Sequence, residues 1–200
     1  MKDILLSMLT AAAYAVFLRN LLFSGGLGAS EVLRAAQRNS EIVMSSVLVS
    51  LFSTAAAVVC RVVAAPLAIY DYAWLAALYG GALLALYLLT CTAIALLPRG
   101  FAPYKPLLLK RLGMSALNTI VMGVPLLAHR LGESYAGAIG MGLGAGAAFF
   151  AVTMLINSGL HILQQNKAIP PMFTGVPAAL IYTGLLALAF TGFKGEILFQ

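Results

Sequence analysis

Six stretches of this 200-residue chain, 4–23, 42–63, 73–97, 112–129, 135–160 and 176–193, are long and almost uninterrupted runs of apolar residues. A hydrocarbon layer about 30 Å thick takes about 20 residues of helix to cross, so each run is of membrane-spanning size. At 62% hydrophobic and 9% charged residues, the chain carries more apolar surface than a soluble core of this length can hide. The runs are continuous and rich in Leu and Ala, without the period-two alternation of a membrane β-barrel, which leaves an all-α bundle. The expectation is one integral membrane domain over 1–200 with six transmembrane helices. The first run carries Arg19 and Asn20 and no convincing cleavage site, so it is read as the first span and not as a signal peptide.

The longest polar connections fall at 30–41, 98–111 and 164–175. With six spans the termini share a side. Lys2, Arg130 and Lys194 lie there, against Arg34, Arg38, Arg99, Lys105, Lys110, Arg111 and Lys167 on the opposite side. A bias of seven basic residues to three predicts that loops one, three and five are cytoplasmic and both termini outside. The net charge of +6 follows from these loops and suits anionic lipid headgroups; it gives no support for nucleic-acid binding.

Two segments stand out inside the apolar runs. Ser24-Gly25-Gly26-Leu27-Gly28 and Thr119-Ile120-Val121-Met122-Gly123 each place a hydroxyl four residues before a glycine, once per half of the chain. Matched polar, glycine-marked interruptions are the sign of inverted repeats meeting near the bilayer midplane. The expectation is therefore two inverted three-helix repeats with broken first and fourth helices. Their site comprises Ser24, Gly28, Asn118, Thr119 and Gly123, with Arg19 and Asn20 as nearby polar groups. Gly25, Gly26 and Gly28 permit the first turn, and Pro125 after Gly123 is expected to weaken the fourth helix. Asn118 and Ser115 are read as interhelical hydrogen-bonding groups within the fourth span. In the fifth span Ala136, Gly140, Gly144 and Ala148, beside Gly142 and Gly146, form a close-packing face.

The stretch Ile169-Pro170-Pro171-Met172-Phe173-Thr174-Gly175 and the apolar run after it, with Gly184-Leu185, Ala189-Phe190 and Gly192-Phe193-Lys194-Gly195, resemble the last span of the Rnf/Nqr small membrane subunits of the RnfA and NqrE type. Arg19 and the Gly28-Ala29-Ser30 turn resemble the same family after its first span, and Asn118-Thr119 with Gly123 resembles its fourth. The resemblance implies a membrane subunit of an ion-translocating electron-transport complex that faces an opposite-topology paralogue. It also implies a cysteine from each broken helix, bound to an iron–sulfur cluster within the membrane. Here Ser24 and Thr119 stand at those cysteine positions, and a neutral hydroxyl is a poor ligand for iron in a sulfide cluster. The expectation is a divergent member that has lost the cluster and needs no cofactor. After the fifth span the family's arginine–glutamate run is replaced by His161-Ile162-Leu163-Gln164-Gln165.

Cys60 and Cys91 have no ligand-like spacing and are read as packing residues, without a disulfide. Arg61 is expected to snorkel to the interface, and His129 and His161 to be interfacial. No phosphate loop, metal-ligand spacing or nucleophile–base pair is present, and all six acids are placed in loops or termini, which weighs against a self-sufficient proton or sodium carrier. The expected partners are other integral membrane subunits and the lipid of a bacterial cytoplasmic membrane. The competing class is a small transporter or channel-like protein with a midplane solute or ion site at the two breaks. The last five residues resemble a protease-tag remnant.

Overall fold

The computed structural model describes residues 2–18, 20–65, 72–98, 103–166 and 170–193. Those residues form helices joined by turns, with no strand among them. The helices are α1 (Lys2–Ala13), which runs on through a π-helical turn (Tyr14–Leu18), α2 (Leu21–Gly25), α3 (Ala29–Ala36), α4 (Asn39–Ala64) and α5 (Tyr72–Ala95). They continue with α6 (Lys105–Ala116), α7 (Thr119–Arg130), α8 (Tyr135–Gln165) and α9 (Val176–Phe193), which follows a 3-10 turn at Pro171–Phe173. Four stretches are long and apolar enough to cross a membrane: Lys2–Phe23, Asn39–Ala64, Trp74–Ala95 and Tyr135–Gln165. The pair α6 and α7, bent by 43° at its junction, makes a fifth if it counts as one span. Val176–Gly192, placed in the sixth span above, is a shorter apolar helix.

Helix α8 is the axis of the bundle, and its glycines explain why. Cβ atoms at Gly140 and Gly144 would run into the backbone of α1 at Met8 and Ala12, while at Gly142 and Gly146 they would run into Thr54 and Ser50 of α4. Two glycine pairs at four-residue spacing thus let two helices approach α8 backbone to backbone, where lipid offers no hydrophobic drive and close packing must substitute. The order of these contacts sets direction. Residues 8 and 12 pair with 140 and 144, so α1 runs parallel to α8; residues 50 and 54 pair with 146 and 142, so α4 runs antiparallel. Around this axis Val32, Ile120, Val124, Met141, Phe149 and Ile156 form the main core. Helices α5 and α9 flank the bundle, with Ala179 and Phe190 of α9 packed on the core, and turn Leu84, Leu88, Leu89, Leu180, Leu185 and Leu188 outward, toward lipid.

The two ends of the bundle differ. At one end Arg34 donates to Glu31 and Glu41, at 2.8 and 2.9 Å, and lines a small cleft together with Arg111. Asn157 donates at the same end to Ala36 O and Asn39 Oδ1, at 2.6 and 2.8 Å. At the other end the Arg61 guanidinium lies 5.1 Å from the centre of the Tyr135 ring, Tyr79 meets His129 Nδ1 at 3.3 Å, and Ser7 meets Ser134 at 3.4 Å. Arg61 therefore ends on an aromatic face, where a cation is attracted by the ring quadrupole.

Three sequence expectations are corrected. The polar connection at 30–41 contains the two-turn helix α3, whose apolar face of Val32, Ala35 and Ala36 is buried in the core. Glu31 and Glu41, placed above in a loop, sit inside α3 and the first turn of α4, where each pairs with Arg34. The fourth span starts earlier than the apolar stretch 112–129: α6 begins at Lys105, inside the polar connection expected at 98–111.

Candidate functional site

The two interruptions are built by the same device. At the first, Asn20 is in extended conformation and its Oδ1 accepts the backbone N–H groups of Leu22 and Phe23 at 3.1 and 3.4 Å, capping α2. Its Nδ2 donates back to Val16 O at 3.1 Å, so one side chain serves both sides of the gap. At the second, Asn118 is likewise extended, and its Oδ1 accepts from Ile120 N at 3.2 Å to cap α7. A break inside a membrane leaves N–H and C=O groups that water cannot reach, and asparagine supplies partners from within the protein. Both asparagines are buried. The interhelical role expected for Asn118 is thus replaced by a capping role. The signal was present in the sequence: an asparagine directly ahead of an apolar run is an N-cap pattern.

The position of the second break also corrects the expectation. Gly123 and Pro125 both lie within α7, and neither ends it. The helix stops instead at Leu117 and Asn118, ahead of Thr119. In the first half Ser24 falls inside α2, and the turn comes after it, where Gly26 and Gly28 adopt φ of 64° and 76°. Of the remaining expected site groups, Arg19 and the side chain of Ser24 lie outside the described residues.

What the fold brings together is the Gly28 turn and the Asn118 cap. The Gly28 backbone N–H donates to Thr119 Oγ1 at 2.7 Å. A Cβ on Gly28 would stand 2.6 Å from Ile120 Cδ1 and 2.8 Å from Asn118 Oδ1, and one on Gly123 would stand 2.7 Å from Leu27 Cδ1. The left-handed backbone and the absent side chain are therefore both required at Gly28. Nearby, Ala15, Asn20, Leu21, Leu22, Ile120, Ala145 and Ala148 enclose a cavity of about 10 Å³, room for no more than a single water. Asn118 Nδ2 is buried and has no hydrogen-bond partner among the described residues.

The remaining candidates lie elsewhere. Cys60 is buried in α4 beside Leu75 and Tyr79, and Cys91 sits in α5 against the core formed by Phe52, Ala56 and Val121. Both thiols are free. Among the described residues, no three His, Cys, Asp or Glu side chains converge in a metal-binding group. His161 is exposed, with Gln165 Nε2 3.1 Å from its Nδ1.

No protein-family model matches the chain. It is similar to the A-type subunit of the Na(+)-translocating ferredoxin:NAD(+) oxidoreductase complex of Acetobacterium woodii, at 28% identity over 187 residues, which span 90% of this chain and 93% of the relative. It is also similar to the A-type subunit of the ion-translocating oxidoreductase complex of Aromatoleum aromaticum, at 30% identity over 119 residues, 58% of this chain and 61% of the relative. With the corresponding subunit of Cereibacter sphaeroides the identity is 36% over 78 residues, and the matched stretch spans 40% of that relative's length. The chain is thus an integral, multi-pass helical protein similar to the A-type subunits of ion-translocating oxidoreductase complexes.

Proposed function

We propose that this chain is a membrane subunit of an Rnf-like ion-translocating electron-transport complex, and that it holds no iron–sulfur cluster of its own. The observation that carries the first part is the similarity to the Acetobacterium woodii protein, which runs along 90% of the chain and is not confined to one Leu-rich helix. In this reading 1–200 is a single membrane domain of six spans in two inverted repeats, with α9 as the last span and the α6–α7 pair as the fourth. Two features support the repeat. The first span starts at the Arg61–Tyr135 end and the fourth at the Arg34–Arg111 end, so the two run in opposite directions. Each is interrupted by an asparagine-capped break.

The second part rests on donor chemistry. Ser24 and Thr119 stand where the family resemblance puts cysteines. A hydroxyl is neutral at physiological pH and a poor substitute for a thiolate on iron. The Thr119 oxygen, moreover, already accepts the Gly28 N–H. Cys60 and Cys91 belong to other spans and face other neighbours. The role left for the chain in a redox complex is structural: it presents two broken helices to neighbouring integral membrane subunits, among them an opposite-topology paralogue.

Affinity purification from native membranes tests both parts. Large redox subunits should co-purify with the tagged chain. Iron and sulfide analysis of the isolated chain should find none in stoichiometric amount, and the double change Ser24→Cys with Thr119→Cys should bring in a cluster only beside a partner that supplies further thiolates. A stoichiometric cluster in the isolated chain would overturn the cluster-free assignment. The transporter reading is favoured by one observation, the unpartnered Asn118 Nδ2 at the second break. Ion or solute uptake by proteoliposomes that hold this chain alone would replace the first reading with that one.

A further inference from the structure

Helix α7 leaves one face uncovered. Gly123, Leu126, Leu127 and Arg130 recur along it at helical spacing, and with Leu27 after α2 and Ala76 near the start of α5 they line an open groove of about 700 Å³. The groove follows α7 for two turns, roughly 10 Å at 1.5 Å per residue. Its floor is low at Ala76, which carries no side chain beyond a methyl. At the inner end Leu27 packs over Gly123, next to the Gly28–Thr119 contact. At the outer end Arg130 stands exposed in the last turn of α7, with no ion-pair partner among the described residues. Its neighbour His129 is turned to Tyr79 instead. Among the described residues, no carboxylate lines the groove.

A guanidinium at the end of a span, with an apolar trough running inward from it, matches the two halves of an amphiphile. The planar fork of arginine takes two phosphate oxygens at once, and the trough covers a hydrocarbon chain. The charge decides which amphiphile. A zwitterionic headgroup brings its own ammonium beside Arg130, whereas an anionic headgroup supplies only the missing counter-charge. A partner's transmembrane helix would have to place a carboxylate opposite Arg130 to do the same, whereas an anionic lipid brings its charge and its chain in one molecule. We propose that this groove binds one anionic phospholipid, with its phosphate on Arg130 and one acyl chain lying along Leu127, Leu126 and Gly123 as far as Leu27. The chain end then abuts the first break and presses Leu27 onto Gly123, so the lipid braces the turn that Thr119 holds. The proposal does not depend on membership in a redox complex.

The full chain in detergent, offered phosphatidylglycerol or phosphatidylcholine with the same acyl chains, provides the test by native mass spectrometry. One phosphatidylglycerol should be retained in preference to phosphatidylcholine, and Arg130→Gln should weaken that preference about fivefold, the factor set by one basic residue near an anionic lipid. Arg130→Lys should keep most of it. Phosphatidylglycerol with a diazirine in its acyl chain should label peptides that contain Leu27 or Leu126, and Ala76→Phe should suppress the labelling by filling the trough. Equal retention of the two lipids, no change in Arg130→Gln, or labelling confined to other helices would each overturn the proposal. Full competition by free glycerol phosphate would also overturn it, since the acyl chain would then contribute nothing. Thermal unfolding without added lipid should be the same for Arg130→Gln as for the unaltered chain, which separates lipid loss from misfolding.

Discussion

The hydroxyl of Thr119 accepts the backbone N–H of Gly28 at 2.7 Å, and so ties the start of α7 to the turn after α2 across 91 residues of chain. The amide it serves is the N-cap amide of α3, on a buried residue, and no side chain caps α3 there. Removing one partner leaves a buried donor unsatisfied, which costs about 1–3 kcal/mol. Thr119→Val, which keeps shape and removes the oxygen, should lower unfolding stability by that amount. Thr119→Ser should lose only the packing of a methyl. Denaturant unfolding of the two variants in detergent gives the comparison; equal losses would mean that the hydroxyl does nothing beyond filling space.

The two asparagine caps make a second prediction because they are not equivalent. Asn20 uses both ends of its amide, Oδ1 toward Leu22 and Phe23 and Nδ2 toward Val16. Asn118 uses only Oδ1, and its buried Nδ2 has no partner among the described residues. Loss of a cap by change to alanine costs about 1 kcal/mol, so Asn118→Ala should be destabilised by that much. Asn118→Ser keeps an acceptor for Ile120 N–H and removes the orphan amide, so it should stay close to the unaltered chain. Asn20→Ser should fall below it, because the Val16 carbonyl then loses its donor. If Asn118→Ser abolished assembly or transport while the fold stayed intact, Nδ2 would have a ligand.

How much of this was legible in the sequence depends on the range of the interaction. That the chain carries membrane-spanning helices was readable because apolar runs of this length suit little besides a lipid bilayer, whereas the repeated hydroxyl-to-glycine spacing did not point to a bond between Thr119 and Gly28. Where each helix breaks was not readable in the same way. Gly123 and Pro125 looked like breakers, yet both lie inside α7, since the cap that starts it is Asn118. Helix α3 was hidden by its own polarity. Glu31, Arg34 and Arg38 make 30–41 look like a loop, and only the burial of Val32, Ala35 and Ala36 beneath them shows the amphipathic turn. The groove beside α7 had no sequence signal, because Leu27 and Ala76 come from elements that only the fold brings to that helix.

The glycines of α8 yield a third prediction, in which position and not residue type decides the outcome. Gly140 and Gly144 face the backbone of α1, whereas a Cβ at Gly184 or Gly192 of α9 meets nothing within 4 Å. Overpacking a tight interface costs about 1–3 kcal/mol when side chains give way, and here the obstacle is backbone. Gly144→Ala should therefore lose at least that much, and Gly144→Leu should separate α1 from α8 and fail to yield a folded protein. Gly184→Ala and Gly192→Ala should be neutral or slightly stabilising, because alanine has less chain entropy to lose. Unfolding midpoints in detergent, with trypsin resistance for the variant that does not fold, provide the comparison. Equal tolerance of alanine at all three positions would mean that close backbone approach does not set the central place of α8.

The last prediction concerns sidedness. Arg34 and Arg111 line one cleft, and Ala36, Arg38, His161 and Gln164 line another, so the segments after the first, third and fifth apolar runs contribute to the same end of the bundle. Ser7 meets Ser134 at the opposite end. Among the described residues, Arg34, Arg38 and Arg111 thus gather at one end of the bundle, and a lysine- and arginine-rich end stays on the cytoplasmic side during insertion. Lys2 and Arg38 mark the two ends and are both exposed. In a chain with Cys60 and Cys91 changed to alanine, Lys2→Cys should react with a membrane-impermeant maleimide in intact cells, and Arg38→Cys should react only after permeabilisation. The reverse pattern would turn the bundle over and place the Arg130 groove in the cytoplasmic leaflet, without altering which helices pack together.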